Sequence, residues 1–89
     1  MPQWEINITG RVQGVGFRYH AQASARQCRI EGYVRNLPDC SVYILAHGSQ
    51  DLFESFCELL KAGNGFSRVR TFSINEIDFT KEYHGFEIR

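Results

Sequence analysis

Between residues 10 and 18 the chain reads Gly-Arg-Val-Gln-Gly-Val-Gly-Phe-Arg. Its chemical interest lies in Gln13, Gly14, Val15, Gly16, Phe17 and Arg18. Glycine tolerates positive φ, so a loop with Gly14 and Gly16 can turn successive amides toward one point. A helix starting directly after it adds unpaired N–H groups and the positive end of its dipole. Such a place binds phosphate without needing a metal. Arg18 falls in the first helical turn, where its forked guanidinium can grip two phosphate oxygens. Other glycine-loop chemistries fit less well. The dinucleotide pattern G-x-G-x-x-G is absent, and Phe17-Arg18 after Gly16 breaks the nucleotide-loop pattern G-x-x-x-x-G-K-S/T. On spacing alone two readings stand: a phosphate cradle, or a tight turn with a surface arginine.

The remaining reactive side chains show no comparable pattern. Cys28, Cys40 and Cys57 are odd in number and contain no C-x-x-C pair, so they make no disulfide framework. His20, His47 and His84 are too dispersed to spell a metal site. No metal and no cofactor are expected. His20 lies two positions after Arg18, which on a helix points it about 200° away. A packed or exposed imidazole is the better reading than a phosphorylated nucleophile. Arg11, Arg35 and Arg68 read as surface charges, and Asp39 as a turn residue. Tyr33 and Phe17 read as core or as water shields.

The loop needs elements to hold it. Trp4, Ile6 and Ile8 alternate with polar residues, as in a half-buried strand. After the loop, Phe17, Ala21, Ala25 and Cys28 share one helix face. Tyr33-Val34-Arg35 makes a second strand, and Leu37-Pro38-Asp39-Cys40 a turn. Val42, Ile44 and Ala46 alternate in a third strand. Ser49 is a suitable N-cap and Asp51 suits the positive end of a second helix. Leu52, Phe53, Phe56, Leu59 and Leu60 form its apolar stripe, and Gly63-Asn64-Gly65 ends it. A fourth strand runs from Arg68 to about Asp78. Its apolar parity changes between Val69 and Phe72, which predicts a bulge. Phe86 and Ile88 suggest a short fifth strand.

That order is the βαββαβ arrangement of α+β, ferredoxin-like sandwiches, with two helices on one face of an antiparallel sheet. It places the exits of strand one, strand two and helix two at one edge. Residues 10–17, about 36–41 and 63–67 should therefore meet. The fold alone decides no function.

At this point a resemblance becomes specific. Residues 10–18 look like the signature loop of the acylphosphatases, and Gly32-Tyr33-Val34-Arg35-Asn36 resembles that family's second signature. The resemblance extends from the first strand to Phe86-Glu87-Ile88. It implies a small, metal-free hydrolase that splits acyl phosphates into a carboxylate and inorganic phosphate. By position, Arg18 matches the family's phosphate-binding arginine and Asn36 its water-orienting asparagine. Residues 13–18 match its phosphate-binding loop. Two departures stand out: Asp39-Cys40 where the family has Asp-Gly, and Gly63-Asn64-Gly65 where it commonly has Gly-Pro. Both lie on the expected active edge and bear on substrate preference.

Length and charge limit the rivals. Eighty-nine residues make one domain, 1–89, and 43% hydrophobic content suffices for its core. Ten basic residues balance ten acidic ones, against a nucleic-acid or membrane-surface binder. The third strand, Ser41-Val42-Tyr43-Ile44-Leu45, lacks the basic, aromatic motif of an RNA-recognition domain. No apolar run approaches the roughly 18 residues of a membrane span. The start, MPQWEINI, is unlike a signal peptide, so a cytoplasmic location is expected. A monomer acting on a small acyl phosphate, with inorganic phosphate as product and inhibitor, is the main expectation. The alternatives are a non-catalytic anion-binding module and a domain handling carbamoyl phosphate. The latter would resemble the acylphosphatase-like part of hydrogenase-maturation proteins.

Overall fold

The computed structural model describes residues 2–78 and 81–89. Seven elements follow one another: β1 (Gln3–Arg11), α1 (Phe17–Gln27), β2 (Glu31–Asn36), β3 (Val42–His47), α2 (Gln50–Ala62), β4 (Arg68–Ile77) and β5 (Phe86–Ile88). The sheet order is β4-β1-β3-β2-β5. The first four strands pair antiparallel throughout, as the element order predicts. β5 corrects the all-antiparallel expectation, because it pairs parallel with β2. The reason is geometric. β4 runs against β1 and ends at the side of the sheet where β2 begins. A strand that follows it on the far edge therefore runs with β2, and the sheet is mixed.

Alternation along β1 buries Trp4, Ile6 and Ile8 against the helices. They join Val34, Val42, Ile44 and Ala46 from the neighbouring strands in one cluster. Each fully buried aliphatic or aromatic side chain in it stabilises the fold by about 1.5–3 kcal/mol relative to exposure. From α1 come Phe17, Ala21 and Ala25, with Cys28 just beyond its end. The small alanines let α1 lie close to the sheet. α2 inserts Phe53, Phe56, Cys57 and Leu60, which is i, i+3, i+4, i+7 spacing. This revises the expected stripe. Leu52 lies one position off it and is exposed, while Cys57 occupies the core position. Trp4 stacks on Phe53 with ring centroids 3.8 Å apart, fixing α2 over β1.

The parity change in β4 is a bulge. Thr9 faces Thr71, but Gly10 faces Val69, leaving Arg70 as the extra residue. Gly10 is required there, since a Cβ would collide with the Arg68 carbonyl. It serves the sheet rather than the loop that follows it.

The β2–β3 turn is closed by Cys40 N–H donating to Leu37 C=O at 3.2 Å. Asp39 Oδ1 accepts from the Ser41 N–H at 3.0 Å and from its hydroxyl. These bonds hold the Asp39 carboxyl below its ordinary pKa. Cys40 sits at φ 72°, a conformation that favours glycine.

Two outcomes follow from the cysteines. Cys40→Gly relieves left-handed strain of about 1–2 kcal/mol and loses about 0.4–1 kcal/mol to unfolded-chain entropy. Urea unfolding under reducing conditions should therefore show a net gain of roughly 0.5–1 kcal/mol; a loss would contradict the strain. Burial raises the pKa of Cys28, and that of Cys57 to about 11, whereas Cys40 is exposed. Iodoacetamide at neutral pH should label Cys40 alone in the native protein and all three cysteines in denaturant.

Candidate active site

The two helix N-termini are built differently. α2 starts on Ser49, whose Oγ accepts from Leu52 N–H at 3.4 Å, and it carries Asp51 in its first turn. α1 starts on Gly16 with no side-chain cap and no acid in its first turn. Its leading amides and dipole are therefore not neutralised by its own side chains. Gly14 and Gly16 stand at φ 73° and 77°, the positive values that the loop demands.

In front of this N-terminus lies a cleft of about 90 Å³, lined by Val12, Gly14, Gly16, Phe17, Arg18, Tyr19 and Asn36. That is well below the roughly 300–1,000 Å³ of pockets that enclose a whole small-molecule ligand. It suits a small anionic group whose remainder stays outside. Arg18 is half-buried on the cleft wall, and among the described residues no carboxylate pairs with it. Its charge is available to a ligand. Asn36, the last residue of β2, brings a buried Oδ1 that has no hydrogen-bond partner among the described residues. An unpaired buried acceptor costs about 1–3 kcal/mol, so a native fold keeps one only where something else uses it.

The expected meeting of three loops at one edge is observed. Gln13 Nε2 donates to Leu37 C=O at 2.9 Å and to Ser41 C=O at 2.8 Å, tying the glycine loop to the β2–β3 turn. Asn64 Nδ2 donates to Val15 C=O at 2.8 Å, tying it to the exit of α2. Of the residues singled out in sequence, Gly14, Gly16, Phe17, Arg18 and Asn36 line the cleft; Gln13 and Val15 do not. Gln13 spends its amide on the turn. Val15 packs its side chain against the core. Phe17 is a core residue, so only its backbone belongs to the loop.

Sequence spacing marks neither Tyr19 nor Asn64 as a site residue. Tyr19 is 69% exposed at the cleft mouth, and nothing in its spacing distinguishes it from a surface tyrosine. Asn64 did carry a signal, as a departure from the family pattern, but its reach to Val15 exists only in three dimensions. His20 faces away: its Nε2 donates to Leu59 C=O at 2.9 Å, in α2. Arg35 lies over the Tyr43 ring at 5.5 Å. Arg11 and Arg68 are exposed. No three or more His, Cys, Asp or Glu side chains converge as a metal site among the described residues. Among them, too, no helix is long and apolar enough to cross a membrane.

Comparison with known proteins bears on the fold and the family. An acylphosphatase of Bacillus subtilis is 42% identical over 88 residues, spanning 99% of this chain and 97% of its own. The crystal structure of acylphosphatase from that organism superposes with a TM-score of 0.96, covering 100% of this chain and 99% of the other. Full-length HypF in its phosphate- and nucleotide-bound form matches with a TM-score of 0.85 and 30% identity. There the likeness covers 99% of this chain but 12% of the larger one. The acylphosphatase family model matches residues 4–88, and the chain therefore belongs to the acylphosphatase family.

Proposed function

We infer that this chain is a hydrolase that splits acyl phosphates into a carboxylate and inorganic phosphate. The observation that carries the site assignment is one juxtaposition. An Arg18 guanidinium and an Asn36 Oδ1, both without partners among the described residues, share a single small cleft with an uncapped helix N-terminus. The guanidinium and the helix N-terminus suit a phosphoryl group. The Oδ1 suits a water molecule beside it. A module that only binds anions needs no such acceptor, and relatives named acylphosphatase match over nearly their full length, so neither rival is favoured.

In this reading, the loop amides at the cleft, those of Gly14, Gly16, Phe17 and Arg18, and the Arg18 guanidinium hold the non-bridging phosphoryl oxygens. They stabilise the charge that gathers there in the transition state. Asn36 Oδ1 accepts a hydrogen bond from the attacking water and holds it in line with the leaving oxygen. The water oxygen bonds to phosphorus. The bond between phosphorus and the acyl oxygen breaks, and its electron pair leaves on the carboxylate. A carboxylic acid has a pKa of about 4, so the leaving group departs unprotonated and no general acid is required. An amide is too weak a base to ionise water, and we assign the water's proton to a phosphoryl oxygen.

The small cleft grips the phosphoryl group and leaves the acyl part at the rim. Inorganic phosphate should fit the same cradle and inhibit competitively. Three free thiols suit a reducing compartment, and we place the activity in the cytoplasm, in a monomer.

Benzoyl phosphate hydrolysis tests the reading. Turnover by the wild type should persist in EDTA, since amides and Arg18 supply the positive charge. Arg18→Ala should lower kcat/KM by about a hundredfold to a thousandfold, the usual cost of losing one oxyanion-stabilising group. Arg18→Lys should recover little, because a point charge does not reproduce the fork. Asn36→Ala should lower kcat about a hundredfold, as misplacement of one reactant does, while inhibition by phosphate changes little. Near-normal turnover in both alanine variants would remove the assignment.

A further inference from the structure

We propose that Asn64 is a positioning residue for the phosphate cradle: it aims the Gly16 amide into the cleft by holding the Val15 carbonyl from behind. The proposal rests on the acyl phosphate reading of that cleft.

The side chain of Asn64 is fixed at both ends. Its Oδ1 accepts from the N–H groups of Phe66 and Ser67, both at 3.0 Å. That leaves Nδ2 only one orientation, and it donates to Val15 C=O at 2.8 Å. A peptide unit is planar and, in this chain, trans, so the C=O of Val15 and the N–H of Gly16 point in opposite directions. Gly16 lines the cleft, whereas Val15 and Asn64 do not. Holding the carbonyl toward Asn64 thus turns the Gly16 N–H toward the cleft.

The segment needs this support. Val15 lies between two glycines at positive φ, the least restricted backbone in the chain's first loop. Without a partner for the Val15 carbonyl, the Val15–Gly16 peptide can rotate and carry its N–H out of the cleft. Asn64 lies directly behind it: a Cβ on Gly16 would stand 3.6 Å from Nδ2. Gln13 anchors the other side of the loop through the β2–β3 turn. The two amide side chains therefore clamp the glycine loop between its neighbouring loops.

A purely local role for Asn64, closing its own turn through Oδ1, is separable by mutation. Asn64→Ser keeps a short oxygen acceptor for the turn but does not reach Val15. Asn64→Ala removes both contacts. Dissociation constants for inorganic phosphate come from ¹H–¹⁵N titration, with benzoyl phosphate kinetics and thermal unfolding alongside. Both variants should bind phosphate about fivefold more weakly, the worth of one ordinary hydrogen bond, with KM rising in step. The phosphate-induced shift of the Gly16 amide should shrink in both, while Asn64→Ser melts near the wild type. If Asn64→Ala does not fold, Asn64→Ser carries the test. Wild-type phosphate affinity and an unchanged Gly16 shift in Asn64→Ser would overturn the proposal. Wild type that binds phosphate without turnover would defeat the functional reading, yet the brace would still be scored by the titration. Wild type that does not bind phosphate would overturn both.

Discussion

A helix N-terminus is available to a ligand only when its own chain leaves it unsatisfied. Most helices do the opposite, as α2 does with Ser49 and Asp51. α1 forgoes a cap that would contribute about 0.5–2 kcal/mol. The leading amides and dipole end left open are what an anion needs. Arg18, half-buried and without a carboxylate partner among the described residues, places a positive charge beside them, as the proposed phosphoryl site requires. Contacts from both neighbouring loops keep this uncapped loop in one shape.

The fold supplies that shape from outside the loop. Because β1 and β2 run the same way on either side of β3, their exits lie together. α2 ends at the same edge, so three loops come within side-chain reach. Gln13 and Asn64 span the gaps with three hydrogen bonds to backbone carbonyls. The core beneath is dense, with Phe17 and Val12 buried directly under the loop. Asn36 gains its place because β2 ends there, and β3 holds it in register opposite Val42. In the proposed roles, the water-holding Asn36 is thus mounted on the inner strand β2 and the phosphate-holding Arg18 on α1. That is a rigid platform for an in-line geometry.

Much of this was legible in the residues. The period-two runs marked β1 and β3, and the glycine loop before Phe17 marked the start of α1. Even the bulge in β4 showed as a change of apolar parity. Three things were not legible. The direction of β5 depends on which side of the sheet β4 ends, which a three-residue strand cannot declare. The choice of Cys57 over Leu52 in the core of α2 is a matter of one position's rotation, and hydrophobicity alone favours the leucine. The role of Asn64 required its distance to Val15, a partner 49 positions away in sequence. Local spacing carries local structure; cross-loop partners appear only when the chain is folded.

The proposed cleft directs water to phosphorus rather than to the acyl carbon. Both routes yield the same products, so rates alone do not separate them. Hydrolysis of benzoyl phosphate in oxygen-18-labelled water does. Attack at phosphorus, with Arg18 and the loop holding the phosphoryl oxygens and Asn36 holding the water, places the label in inorganic phosphate. Label in benzoate would mean attack on the carbonyl, and would contradict the arrangement of Arg18, the glycine loop and Asn36 described above.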